Sequence, residues 1–338
     1  MSILQRIFRA PQTTAVEAST VAGQAASRVS IDPQSLMKIR NLELRAKSVV
    51  DGFLNGIHRS PWHGFSVEFT DYRQYSPGDD VRYLDWKLFA RQDRYYIKRF
   101  EDETNLRCYL VADLSASMEF GSLGFSKADY ARTALATLGY YLSLQRDAVG
   151  LLTFDETIGE YLPPRYRPGH LRRVMLGLER ATAGKRTDLA PPLQQISRLA
   201  QRRGLVVLAS DLLAPIDDLQ QQLGYLRSQG HEVLVWRILD PAEVNFEFSD
   251  AKMFEDMESG KRLFVDPVSV RKNYLDKFQQ HSQQLSELCN QQGVDLQVMQ
   301  TDRPLDEALL DYVKNRSRMQ TPGHRRSNLS PPASGGRA

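Results

Sequence analysis

The chain has 338 residues, of which 41% are hydrophobic, 25% charged and 9% aromatic. These proportions are typical of a globular protein with one large domain and room for a smaller one, and they exclude collagen, a coiled coil and a peptide hormone. The net charge is +3, but the segment from Lys314 onward carries six basic residues and no acid, so residues 1–313 sum to −3. This slightly acidic body argues against a nucleic-acid-binding domain, and we expect no nucleic-acid partner.

The cysteine content and the hydropathy pattern bear on the compartment of the protein. Cys108 and Cys289 lie far apart, inside segments predicted as a strand and a helix. A disulfide framework and a thiolate zinc site are therefore both excluded. No window approaches the roughly 20 apolar residues that a membrane helix needs, and the first 30 residues lack the apolar centre of a signal peptide. We expect a cytoplasmic protein without a membrane span.

The first third of the chain contains three kinds of segment. Residues 1–30 are rich in Ala, Thr, Ser and Gln and are predicted to be disordered, as is the basic tail 318–338. Apolar residues from Leu36 to Ile57 recur with helical spacing, which predicts an amphipathic helix. Residues 65–100 hold ten aromatic side chains and short β-like runs around a Ser-Pro-Gly-Asp turn. The range 31–104 is therefore predicted to combine this helix with a small aromatic-rich β module.

From residue 105 onward, apolar runs alternate with longer segments of helical periodicity. This alternation predicts βαβ units and an α/β fold with a doubly wound, mainly parallel sheet over residues 105–317. A break in the pattern at 241–267 predicts an inserted β-hairpin. We predict strands over 106–112, 148–154, 205–209, 233–239 and 294–299, and helices over 127–144, 171–181, 189–202, 219–228, 270–290 and 306–314.

Residues with oxygen-bearing side chains follow two of these strands. Asp113, Ser115 and Ser117 come after the first strand, Asp211 follows the third, and Thr187 lies just before a helix. Ligands of open parallel sheets bind where the strands end at their carboxyl edge. Hard oxygen donors without His or Cys favour Mg²⁺ or Mn²⁺. Because hydroxyls add no negative charge, an ion held this way stays electrophilic and can accept a carboxylate from a partner molecule.

Two stretches carry a resemblance to known families. The run Asp113-Leu114-Ser115-Ala116-Ser117, with Thr187 and Asp211, resembles the metal-ion-dependent adhesion site of von Willebrand factor A domains. The resemblance implies direct ligation by the two serines, and direct or water-mediated ligation by Asp113, Thr187 and Asp211. Residues 68–87 read EFTDYRQYSPGDDVRYLDWK, which resembles the signature of the family called domain of unknown function fifty-eight. Together the two resemblances cover about residues 36–313 and imply a von Willebrand factor A-like fold.

The family resemblance also implies a role. Such proteins are similar to those encoded beside AAA+ ATPases of the MoxR type, which are thought to act with them as chaperone-like adaptors. Many relatives carry two membrane helices before the signature, and this sequence shows none there. The resemblance therefore implies a non-enzymatic, cytoplasmic protein-interaction module whose partner is a MoxR-type ATPase or its client.

Three alternatives stay open at this point. The first is that Asp113, Ser115 and Ser117 merely cap a helix, since Asp and Ser satisfy exposed helix amides. A second is a degenerate site that keeps the residues without binding metal strongly. The third is a Mg²⁺-dependent phosphohydrolase in which Asp113 attacks a phosphoryl group. Enzymes resembling haloacid dehalogenases have a second Asp two positions later as the general acid, but here that position is Ser115.

Overall fold

The computed structural model describes residues 31–58, 71–75, 88–89, 95–99, 106–155, 157–180, 190–248, 252–255 and 262–320. Thr187, the predicted disordered segment 1–30, the end of the predicted tail and most of the aromatic-rich module lie outside these ranges. What the sequence predicts for these segments stays a prediction.

Strands and helices alternate from residue 106 onward, as predicted. The strands are β1 Asp71–Gln74, β2 Tyr96–Arg99, β3 Arg107–Asp113, β4 Ala148–Phe154, β5 Ile158–Arg165, β6 Leu205–Ser210, β7 Glu232–Leu239, β8 Lys252–Glu255, β9 Arg262–Val265 and β10 Asp295–Gln300. The helices are α1 Pro33–Met37, α2 Leu42–His58, α3 Lys127–Leu144, α4 His170–Glu179, α5 Ala190–Leu199, α6 Ile216–Ser228, α7 Pro241–Asn245, α8 Pro267–Gln292 and α9 Leu305–Gln320, with a 3₁₀ turn at Ala116–Glu119.

Six strands form the central sheet in the order β10-β7-β6-β3-β4-β5. All neighbouring strands are parallel except the pair β4 and β5, which is antiparallel. The central strands are buried on both faces, which explains why β3, β6 and β7 are nearly continuous apolar runs in the sequence. The predicted α/β fold with a mostly parallel sheet flanked by helices is confirmed.

Helices cover both faces of this sheet. On one face α2, α3, α4 and α9 share a core with the sheet, and on the other α5, α6 and α8 form a second core. Helix α3 begins at the N-cap Ser126, whose side chain and that of Asp129 form a capping box. The apolar stripe of α2, which includes Leu42, Val50 and Phe53, is buried in the same core as α3. The amphipathic helix predicted near the N-terminus is thus part of the layer that covers the sheet.

Strand β5 was absent from our predictions. It contains Gly159, Pro163 and Pro164, and these residues argue against a strand in a single sequence. Its place at the sheet edge, with register shifts against β4, accommodates the two prolines. Prolines are tolerated there because an edge strand needs fewer ladder hydrogen bonds than a central one.

Two short antiparallel pairs accompany the main sheet. Strands β8 and β9 pair inside the range predicted as an inserted hairpin, where the short helix α7 precedes them. Strands β1 and β2 pair inside the range of the predicted aromatic-rich module, but most of that module is not described. Among the residues that the structure describes, no helix combines the length and the apolar character that a bilayer crossing requires.

Candidate functional site

The candidate site lies at the carboxyl ends of β3, β6 and β7. These strands are parallel neighbours, so their C-terminal residues meet at one edge of the sheet. Asp113 ends β3, Ser210 ends β6, and Asp211 and Asp240 directly follow β6 and β7. All four side chains are buried. The sheet therefore brings the two carboxylates predicted as metal ligands, Asp113 and Asp211, to the same edge; ligation itself stays a prediction.

Asp113 is held by neutral donors. One carboxylate oxygen, Oδ2, accepts a hydrogen bond from the Ser210 hydroxyl at 2.6 Å, and Oδ1 accepts one from the Ser115 amide at 3.0 Å. Within the described ranges no Lys, Arg or His forms an ion pair with it. Complete burial, together with the nearby charge of Asp211, raises the pKa of Asp113 to about 7. Asp113 is thus a buried acid without an opposite charge.

The two predicted serine ligands lie beside each other. The Oγ atoms of Ser115 and Ser117 are 3.2 Å apart, and Ser115 is fully buried. Ser115 is the N-cap residue of the 3₁₀ turn, but its side chain makes no capping hydrogen bond. Helix α3 is capped by Ser126 instead. The capping alternative therefore does not account for either hydroxyl, although the Asp113 carboxylate does accept a local amide.

Asp211 has a different environment because it faces a cation. Its Oδ2 lies 2.9 Å from Nζ of Lys127, the first residue of α3. The next residue, Leu212, has a positive φ of 54°, which is strained for a residue other than glycine. The main-chain carbonyl of Asp211 accepts a hydrogen bond from Nε of buried Arg237. Asp211 is therefore held through both its backbone and its side chain.

Lys127 and Glu243 were not predicted as members of the site. Lys127 is fully buried, and its Nζ also lies 2.5 Å from Oε1 of Glu243. Burial alone lowers the pKa of Lys127, but the charges of Asp211 and Glu243 outweigh that effect and raise it. Burial raises the pKa of Glu243, with the Lys127 charge opposing it. The three side chains form a buried ionic network whose members depend on one another.

Asp240 connects three loops at this edge. Its carboxylate accepts the amide and the hydroxyl of Ser122 at 2.9 and 2.6 Å, and the amide of Ala242 at 2.8 Å. The Thr301 hydroxyl, after β10, lies 3.4 Å away. Asp240 and Glu243 form the capping box of α7, and the spacing Asp-Pro-x-Glu after a strand is a sequence signal that could have located them. Lys127 offered no such signal, because a lysine in the first turn of a helix is usually exposed.

The donor chemistry of the Asp113 side fits a hard divalent cation. A carboxylate whose pKa is raised by burial and by a second carboxylate would be stabilised by a positive charge, and the paired hydroxyls of Ser115 and Ser117 adjoin it. The described residues contain no group of three or more His, Cys, Asp and Glu side chains suited to a metal ion. Asp211, the other carboxylate predicted as a ligand, already has one oxygen paired with Lys127.

Several solved structures are similar to this chain at low identity. The protein BatB from Bacteroides thetaiotaomicron is 14% identical with a TM-score of 0.42, and the alignment covers 63% of this chain and 99% of that one. An aerotolerance-related membrane protein from Bacteroides fragilis is also 14% identical, with a TM-score of 0.44 and coverage of 63% and 100%. TM-scores below 0.5 do not establish a shared fold.

Sequence relatives are found in mycobacteria. The uncharacterized proteins Mb1516 of Mycobacterium bovis and Rv1480 of Mycobacterium tuberculosis are each 30% identical over 298 residues, which is 87% of this chain and 93% of theirs. The uncharacterized protein MAV169 of Mycobacterium avium is 30% identical over 149 residues, 44% of this chain and 87% of its own. The model of the family described as "Protein of unknown function DUF58" matches residues 71–284. The chain therefore belongs to the DUF58 family.

Proposed function

We propose that the protein is a divalent-cation-dependent interaction module that docks an acidic residue of a partner protein. One observation carries this proposal. Asp113 is a fully buried carboxylate with hydroxyl and amide partners, a raised pKa and, among the residues that the structure describes, no cation paired with it. It lies at the sheet edge where the Ser115 and Ser117 hydroxyls meet. A buried carboxylate in this setting favours an added positive charge.

The proposed ligands are those of a von Willebrand factor A-like adhesion site. Asp113, Ser115, Ser117 and Asp211 would hold Mg²⁺ or Mn²⁺, with Thr187, outside the described residues, as the fifth member. The bound ion would supply a Lewis-acidic position that accepts a partner's carboxylate. The parallel strand order, with the site at the carboxyl edge of adjacent strands, supports this assignment. The protein would hold the oxygen ligands in place, and their negative charge would only partly neutralise the ion.

The partner class follows from the family resemblance rather than from contacts. We propose a MoxR-type AAA+ ATPase, or a client of such an ATPase, as the protein whose acidic residue is docked. An adaptor of this kind would act in the cytoplasm and would need no bond-making chemistry.

A phosphohydrolase is a weaker proposal for the same residues. In enzymes of this kind a second acid two residues after the nucleophile protonates the leaving group. That position holds Ser115, which cannot act as the general acid near neutral pH. The missing acid favours docking over hydrolysis.

Capture of a purified MoxR-type ATPase by the immobilised full-length protein, in Mg²⁺ and in EDTA, tests the docking proposal. We expect capture in Mg²⁺ only, and its loss in Asp113→Ala and in the nearly isosteric Asp113→Asn. Asp51→Ala, which removes an exposed carboxylate of α2, is the matched control and should behave as wild type. Equal capture in EDTA, or by both Asp113 variants, would refute the proposal. Hydrolysis of a phosphate ester that disappears in Asp113→Asn would favour the enzyme instead.

A further inference from the structure

Lys127 is a fully buried ammonium between two carboxylates. Its Nζ lies 2.9 Å from Oδ2 of Asp211 and 2.5 Å from Oε1 of Glu243. The ring of Phe120 lies 5.9 Å away and adds an apolar wall. A buried charge is strongly unfavourable unless it is paired, so Lys127 needs at least one of these carboxylates at all times.

One of those carboxylates is a predicted ligand of the divalent ion. Asp211 uses Oδ1 to accept the Leu213 amide at 3.3 Å and Oδ2 to bind Lys127, so both oxygens are engaged. An ion that takes an Asp211 oxygen must displace the ammonium or tolerate a second positive charge beside it. The ion and the lysine therefore compete for one carboxylate.

Glu243 is placed to keep the ammonium when Asp211 is withdrawn. Its Oε2 accepts the Asp240 amide at 3.0 Å, which fixes the carboxylate and directs Oε1 to Lys127. Its main-chain carbonyl accepts the hydroxyl of Tyr274 on α8 at 3.0 Å. Glu243 is thus anchored at both its backbone and its side chain, independently of Asp211.

Building on the proposed docking site, we propose that Lys127 is a resident cation that competes with the divalent ion for Asp211 and so sets the ion affinity of the site. Glu243 is the second carboxylate, and it retains the ammonium when the ion takes Asp211. Before the ion binds, the Lys127 ammonium balances the negative charge of Asp211. Because the ion must displace this ammonium, it binds more weakly than it would to the oxygen ligands alone. Lys127 acts here as a positioning residue and does not touch the ion.

Calorimetric titration of Mn²⁺ into the full-length protein, with the electron paramagnetic resonance signal of free Mn²⁺ as a second readout, tests this role. Lys127→Met removes the competitor, and we expect binding at least about tenfold tighter. Glu243→Gln removes the second carboxylate, so Lys127 depends on Asp211 alone and the ion displaces it less readily. We expect Mn²⁺ binding to be several-fold weaker. If Lys127 and Glu243 only stabilised the fold of the site, both variants would bind Mn²⁺ more weakly than wild type.

Two matched variants control for charge alone. Lys47→Met removes an exposed ammonium of α2, and Glu119→Gln removes an exposed carboxylate of the nearby 3₁₀ turn. Neither should change the Mn²⁺ affinity by more than about twofold, because exposed charges are screened. If Lys127→Met does not fold, Lys127→Gln, which removes the charge but keeps a polar side chain between the two carboxylates, is titrated in its place, and the same tightening is expected.

The outcomes separate this proposal from the docking function. If wild type binds Mn²⁺ and Lys127→Met binds no more tightly, competition is overturned and the docking site stands. If wild type does not bind and Lys127→Met does, competition is upheld while ion-dependent docking by the natural chain is overturned. If neither wild type nor any variant binds, both proposals fall.

Discussion

Asp113 and Asp211 are equally buried carboxylates at one sheet edge, but their partners differ in kind. Asp113 has a hydroxyl and an amide, whereas Asp211 has the ammonium of Lys127. The first carboxylate has a raised pKa, and the second, together with Glu243, stabilises the buried charge of Lys127. Residue type and burial therefore do not decide what an acidic side chain does. The charge of its neighbours decides it, and each variant below changes one side of this contrast.

The largest effect is expected from Asp211→Ala. This change leaves the buried ammonium of Lys127 with Glu243 alone, and the loss of one hydrogen bond between charged groups costs about 1.5–3 kcal/mol of unfolding free energy. Urea denaturation measures this loss. Asp276→Ala, which removes an exposed carboxylate of α8, should change stability by less than about 0.5 kcal/mol. Equal losses in the two variants would show that the Lys127 pair contributes little.

An effect of opposite sign is expected from Asp113→Asn in EDTA. The folded protein holds the Asp113 proton up to a pKa of about 7, above the usual 3.8, so stability from this group is lost as pH rises between these values. An amide does not titrate. The variant should therefore be more stable than wild type at pH 8, by about 1–3 kcal/mol, and this gain should shrink towards pH 5. A gain that does not depend on pH would argue against the raised pKa.

The smallest effect on stability is expected from Ser117→Ala. The Ser117 hydroxyl shares one hydrogen bond with Ser115, so its removal should cost about 0.5–1 kcal/mol of unfolding free energy. Ser228→Ala, which removes an exposed hydroxyl bonded to a main-chain carbonyl, is the matched control and should cost a similar amount. Mn²⁺ titration should distinguish the two, with weaker binding in Ser117→Ala alone. Unchanged Mn²⁺ affinity would exclude this hydroxyl from the proposed donor set.

The sequence identified both carboxylates but missed the lysine that pairs with one of them. Apolar runs that end in Asp113 and in Ser210-Asp211 reveal both a buried strand and its polar end, so their meeting at one edge could be predicted. Lys127 could not be found this way. Its burial depends on α7 returning Glu243 to the same edge, which is a tertiary contact more than a hundred residues away. Local patterns locate strand ends well, but they do not report which charged side chains the fold encloses.

The two prolines of β5 have a consequence for association between copies. Proline supplies no amide hydrogen, so a foreign strand aligned against Pro163 and Pro164 would find a donor missing at the outer edge. The register shifts between β4 and β5 also disturb the regular repeat that fibrous stacking requires. This margin of the sheet is therefore protected against polymerisation by its own chemistry.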